Sequence, residues 1–163
     1  MALSILSPDS LDLTQDFAGI HLGGTGSANQ LDDYETGTFT ATYEGLTTNP
    51  TTAVTTTGYY TKIGNLVFIN VNFSNVDTTG ASGGMQVSGL PFTAVGGQFA
   101  TGDVMIYSRN DIASNYVNIS VYAVGGTTKC QFYATRPNAG WLTVNHSAGS
   151  AHYMWFSATY LTN

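Results

Sequence analysis

A two-residue alternation of apolar and polar side chains, broken at short intervals by glycine and asparagine, restricts this chain more than any other feature. Successive side chains on a strand point to opposite faces, so such an alternation describes a sheet with one face in a core. It is clearest over residues 66–76, where Val67, Ile69, Val71 and Phe73 share one face and Asn70, Asn72 and Ser74 the other. Residues 116–124 repeat the pattern, with Val117, Ile119, Val121 and Ala123 expected inward and Asn118 and Ser120 outward. Further strands are expected at 37–44, 57–63, 85–88, 103–107, 128–135, 140–145 and 152–161. The Gly125-Gly126 pair between two strong strands predicts a hairpin turn, because glycine accepts the positive φ such turns need. No helical period is evident after residue 35. Many short strands at this spacing predict an all-β fold, a β-sandwich or jelly-roll-like domain.

The last of these strands departs from the rule. His152, Met154, Phe156 and Tyr160 lie on one side, and Tyr153, Trp155 and Leu161 on the other. Both sides are apolar, unlike a strand with one solvated face. It is either buried on both sides within the fold, or it packs one side in the core and offers Tyr153, Trp155 and Leu161 to a subunit interface, where such residues concentrate.

The chain divides near residue 35. The first part, 1–35, holds six of the ten acids, no base and little alternation. It reads as an extended N-terminal arm ahead of a β-domain at 36–163. Leu3, Ile5, Leu6, Leu11, Leu13 and Phe17 are too many apolar residues for a solvated linker, so they need a surface to lie on, either the domain or a partner, and are expected to anchor the arm on the virion.

Charge excludes several function classes. Only Lys62, Arg109, Lys129 and Arg136 are basic, and the net charge is −6. Nucleic-acid binding draws on Lys and Arg contacts to phosphate, so DNA and RNA are not expected partners. Docking on an anionic membrane fails for the same reason. No apolar run reaches the roughly 18 residues of a membrane span. The start of the chain lacks the basic segment of a secretion signal, so synthesis in a cytoplasm is expected. Charged residues make up 9% of the chain against about 25% in an average domain, and Thr, Ser, Gly and Asn take their place. Such uncharged surfaces are common on virion proteins and on faces covered by partner subunits.

Residues able to carry chemistry are few. His21, His146 and His152 fit no zinc spacing, and Cys130, the only cysteine, reads as a buried strand residue. Gly23-Gly24-Thr25-Gly26 lacks the Lys-Ser/Thr ending of a phosphate loop. Asp103 and Asp111 are the only acids after Asp77 and the only carboxylates there that could form a glycosidase pair. No cofactor, metal or catalytic group is expected. The best surface candidates are two loops. One carries Tyr107, Arg109, Asn110, Asp111 and Tyr116; the other carries Arg136 and Trp141. Aromatic faces beside amide, guanidinium and carboxylate groups are the mix that recognises sugars.

Two segments resemble bacteriophage tail-fibre and tail-spike proteins. The first runs Gly19-Ile20-His21-Leu22-Gly23-Gly24-Thr25-Gly26-Ser27-Ala28-Asn29-Gln30-Leu31-Asp32-Asp33-Tyr34-Glu35-Thr36-Gly37-Thr38-Phe39-Thr40. It is similar to the stretch that opens a β-domain in many such proteins. The second, Gly58-Tyr59-Tyr60-Thr61-Lys62-Ile63-Gly64-Asn65-Leu66-Val67, resembles their "Y-x-K-I-G-N-x-V" hairpin. Gly64-Asn65 is a turn signal, and Phe39, Tyr59 and Val67 are expected to fill the core. The resemblance implies a homotrimeric, virion-attached β-domain that contacts the host surface. The expectation is therefore a non-enzymatic structural protein of the virion surface, attached through its arm to other tail or capsid proteins, with host cell-surface glycan as a further partner. Two alternatives are a capsid decoration or cement protein and a polysaccharide depolymerase.

Overall fold

The computed structural model describes residues 20–21, 30–31, 33–98, 100–107, 115–146 and 149–163. The sites expected at Leu3, Ile5, Leu6, Leu11, Leu13 and Phe17 lie outside them, as do Arg109, Asn110 and Asp111. The described residues form strands and turns with no helix. A short ribbon pairs β1 (Ile20–His21) with β2 (Gln30–Leu31). The main sheet contains β3 (Tyr34–Gly45), β4 (Val54–Ile63), β5 (Leu66–Val76), β6 (Met85–Ser88), β7 (Ala100–Tyr107), β8 (Asn118–Val124), β9 (Lys129–Thr135), β10 (Leu142–Thr143) and β11 (His152–Leu161).

The sheet closes on itself. Its order runs β9-β6-β3-β4-β5-β11-β7-β8, and β8 pairs back to β9, which makes an eight-stranded antiparallel barrel. Two separate sheets, as in the expected sandwich, do not form. Two pairings account for the difference. The β8–β9 hairpin is bonded along its full length, from Asn118↔Thr135 to Val124↔Lys129. On its other side β9 meets β6 through Gln86↔Gln131, Val87↔Cys130 and Ser88↔Lys129. Closure removes the open edges that a sandwich leaves. β10 then continues the row begun by β6, pairing Leu142 with Ala134 and Thr143 with Tyr133.

The alternation has the expected consequence inside the barrel. Val67, Ile69, Val71 and Phe73 of β5 face Met154, Phe156, Ala158 and Tyr160 of β11, and all are buried. Phe132 meets Phe156 edge-on at 5.3 Å between ring centres, and Tyr43 meets Phe73 at 5.6 Å. A barrel of this size is filled by its own side chains. Tyr160 donates its hydroxyl to the Phe92 carbonyl at 3.1 Å, and burial pushes its pKa up to about 12. Cys130 is buried as expected, and burial pushes its thiol well above the ordinary range. On β11, His152, Met154, Phe156 and Tyr160 face the core while Tyr153, Trp155 and Leu161 face outward and are partly exposed. That settles the two-sided strand in favour of one core face and one outer face.

Two residues differ from expectation. Val117 lies just ahead of β8 and is 72% exposed, whereas Ile119, Val121 and Ala123 turn inward. Tyr59 is 60% exposed, because the inward set of β4 is Val54, Thr56, Gly58, Tyr60 and Lys62. The space over Gly58 is taken by the Phe39 ring, which would come within 2.4 Å of a β-carbon there. A tighter approach occurs on β7. A β-carbon at Gly102 would lie 2.0 Å from the Ser157 carbonyl oxygen of β11. Gly102 pairs with Val121 of β8 and lies two residues ahead of Val104↔Phe156, where the pairing of β7 with β11 begins. Glycine at such a corner lets one backbone cross closely over another.

Candidate functional site

The two resembling segments are joined by the register of β3 and β4, which places Tyr34 opposite Ile63 and Glu35 opposite Lys62. At this end of the barrel the largely buried Lys62 ammonium pairs with the Asp33 carboxylate and lies 3.9 Å from that of Glu35. Gly64 donates its backbone N–H to the Asp33 carbonyl at 2.7 Å, and Lys62 sits 5.6 Å from the centre of the Phe92 ring. Asp33, Glu35 and Lys62 thus form a clasp between the start of β3 and the β4–β5 turn.

The outer surface of β5, β11, β7 and β8 has a different character. Outward positions carry Phe68, Trp155, Tyr153, Met105, Tyr107 and Tyr122 among Ser, Thr and Asn, and Asp103 is the only Asp, Glu, Lys, Arg or His there among the described residues. Two grooves are cut into it. The first, about 460 Å³, is lined by Met105, Ile106, Tyr107, Tyr153 and Trp155. The register explains it, since Tyr153 is opposite Tyr107 and Trp155 opposite Met105. Tyr107 and Tyr153 meet edge-on at 5.7 Å, and Trp155 donates its Nε1–H to Ser74 Oγ at 2.9 Å.

The second groove, about 310 Å³, lies over β7, β8 and β9. Tyr122, Tyr133 and Trp141 give it aromatic walls, and Thr101, Ser120 and Thr135 add hydroxyls. Tyr122 and Tyr133 approach edge-on at 6.1 Å. Trp141 immediately precedes β10, beyond the Leu142↔Ala134 pair, and is 77% exposed. Asp103 lies between the grooves, two residues from Thr101 of one and two from Met105 of the other.

The surface candidates are therefore divided. Tyr107 falls in the first groove and Trp141 in the second. Arg136 is exposed beyond the end of β9, outside both linings. Tyr116 is partly buried and packs against the core beside Ile119. Met105, Tyr122 and Tyr133 were missed, because an aromatic or Met on a strand reads as core. The signal that could have found them is their phase: each falls on the polar side of its own alternation.

A hydrogen-bonded row crosses the outside of β3, β6 and β9. Ser88 Oγ and Gln86 Nε2 donate to the two Glu44 carboxylate oxygens at 2.6 and 2.7 Å, and Lys129 Nζ reaches the second at 3.2 Å. Burial raises the Glu44 pKa, but these three donors outweigh it and hold it below the ordinary value. Gln131 Nε2 donates to Gln86 Oε1 at 3.4 Å, and the Tyr133 hydroxyl donates to Gln131 Oε1 at 2.8 Å. The row ends at the second groove. Among the described residues, no three His, Cys, Asp or Glu side chains gather as a metal site would require.

No protein-family model matches the chain, and no curated protein is significantly similar to it.

Proposed function

We propose that this chain is a non-enzymatic surface protein of a bacteriophage virion, held to the particle by residues 1–35 and displaying its barrel to the host envelope. The observation that carries the reading is the outer face of β5, β11, β7 and β8, with two aromatic grooves and one carboxylate among its described residues. Among its described residues that face offers none of the Lys and Arg contacts that nucleic-acid binding draws on. It suits neutral glycan on one part and a neighbouring subunit on another. The Tyr153–Trp155–Leu161 row of β11 is the part assigned to a homotrimer, since Trp and Tyr are favoured where subunits meet. The resemblance to tail-fibre and tail-spike segments supports the same assignment, as does the clasp through which those segments meet.

Two measurements on the full chain test this. Sedimentation at micromolar concentration should give a trimer mass, and a monomer would remove the subunit assignment. An oligosaccharide array together with host envelope fractions should show binding. A chain that binds none of them has no receptor role, and would return the choice to a shell-stabilising decoration protein.

A further inference from the structure

The second groove has features that the first lacks. We infer that the Tyr122–Tyr133–Trp141 groove is a binding site for an uncharged pyranose residue of a glycan chain, which names the ligand class and place for the glycan binding proposed above and rests on it.

Three observations point to a sugar. The first is the pairing of aromatic faces with hydroxyls. Sugar C–H groups carry a slight positive charge and pack on the negative face of an aromatic ring, while the ring hydroxyls need polar partners at its rim. Tyr122, Tyr133 and Trp141 supply the faces, and Thr101, Ser120 and Thr135 the rim.

The second is that two of the polar groups are already oriented. Tyr133 spends its hydroxyl hydrogen on Gln131, so its oxygen is left to accept. Ser120 Oγ accepts from Asn118 Nδ2 at 2.8 Å, and among the described residues nothing takes its own hydrogen, which is left to donate. One fixed acceptor and one donor in the same groove match a sugar hydroxyl, which donates and accepts together. The acceptor is held from behind by the row through Gln131 and Gln86 to Glu44. Gln131 is thus a positioning residue, and holding the group in place before binding lowers the ordering cost of association.

The third is charge. No Asp, Glu, Lys, Arg or His lines the groove, Asp103 stands beside it, and the chain carries a net charge of −6. Sialic acid or a uronate would meet repulsion with no cation in the lining to answer it. The volume of about 310 Å³ is at the small end of the ligand-site range, roughly 300–1,000 Å³, which suits a single sugar residue.

The test uses the full chain and an array of uncharged oligosaccharides with sialylated and uronate-containing counterparts. The tightest uncharged binder is then titrated against variants. Trp141→Ala should weaken binding at least tenfold with an unchanged urea midpoint, and Tyr133→Phe and Gln131→Leu should weaken it several-fold under conditions where circular dichroism shows each variant folded. Tyr107→Ala, in the first groove, should bind as the parent does. Because Trp141 and Trp155 are the only tryptophans, a Trp155→Phe chain reports Trp141 alone, and its emission should shift on adding the sugar. A bound sugar that leaves Trp141 emission and Trp141→Ala affinity untouched overturns the inference and leaves the proposed function standing. So does loss of binding in Tyr107→Ala alone, or a preference for the anionic members. Absence of any glycan binding by the parent chain overturns both.

Discussion

Replacing Gly102 by alanine should destabilise the barrel, against the ordinary expectation for a strand. Glycine in a strand interior costs about 0.5–1 kcal/mol relative to alanine through its greater freedom when unfolded. On that ground alone Gly102→Ala would be a gain. The structure reverses the sign. The new β-carbon would lie 2.0 Å from the Ser157 carbonyl oxygen and 2.7 Å from Ala158 Cα. A carbon–oxygen contact needs roughly 3.3 Å, so the approach is too close by roughly 1.3 Å. Both obstructing atoms are backbone, and no side chain can turn aside. The strands must part where β7 lies against Ser157 and Ala158 of β11. Overpacking costs about 1–3 kcal/mol, and a backbone displacement belongs at the upper end. Net of the entropic gain, the loss is about 2 kcal/mol, or roughly 4–8 °C in midpoint for a chain of this size. Urea unfolding followed by circular dichroism measures it. Gly96→Ala is the internal control: nothing lies within 4 Å of a β-carbon there, so that variant should gain about 0.4–1 kcal/mol. A Gly102→Ala chain as stable as the parent would refute the close crossing of β7 over β11.

Two further outcomes follow from buried groups. Tyr160→Phe removes the bond to the Phe92 carbonyl and should cost about 1 kcal/mol at neutral pH. Burial raises the Tyr160 pKa from 10.0 to about 12, so the fold favours the neutral phenol. Its contribution is whole below pH 10 and is lost as the pH rises toward 12. Alkaline unfolding curves of the parent and Tyr160→Phe should therefore converge over that interval, and parallel curves would refute it. Cys130 should resist a thiol reagent in the native protein and react only on unfolding, since it is buried and its thiolate is disfavoured. Rapid stoichiometric labelling of folded protein would refute its placement.

Local patterns were most legible where apolar residues alternate without exception. The bounds of β5, β6 and β11 follow directly from Val67–Ile69–Val71–Phe73, from the short Met85–Val87 run and from the aromatic last strand. The Gly64 and Gly126 turns, both at positive φ, were readable for the same reason. β4 was misread at Tyr59 because its inward face carries Gly58 and Lys62, residues that hydrophobic periodicity assigns outward. Barrel closure was not readable at all. It depends on β9 finding β6 and β8 at once, and side-chain phase does not specify which edges meet. For the candidate site, Tyr107 and Trp141 stood out as aromatics at strand ends or in loops. Tyr122 and Tyr133 did not, because their outward direction depends on strand phase, and their joint lining of one groove depends on the β8–β9 register.

The clasp at Lys62 has a mechanical consequence. Any load that reaches the barrel through the residues ahead of Asp33 enters at the start of β3, where paired charges and the Gly64–Asp33 backbone bond grip it from β4 and the following turn. Beyond that point β3 is paired with β4 from Tyr34↔Ile63 to Tyr43↔Val54. Tension along β3 pulls parallel to its neighbour, so the inter-strand bonds resist together in shear and are not peeled apart one at a time. Lys62 is the first point of resistance to such a pull.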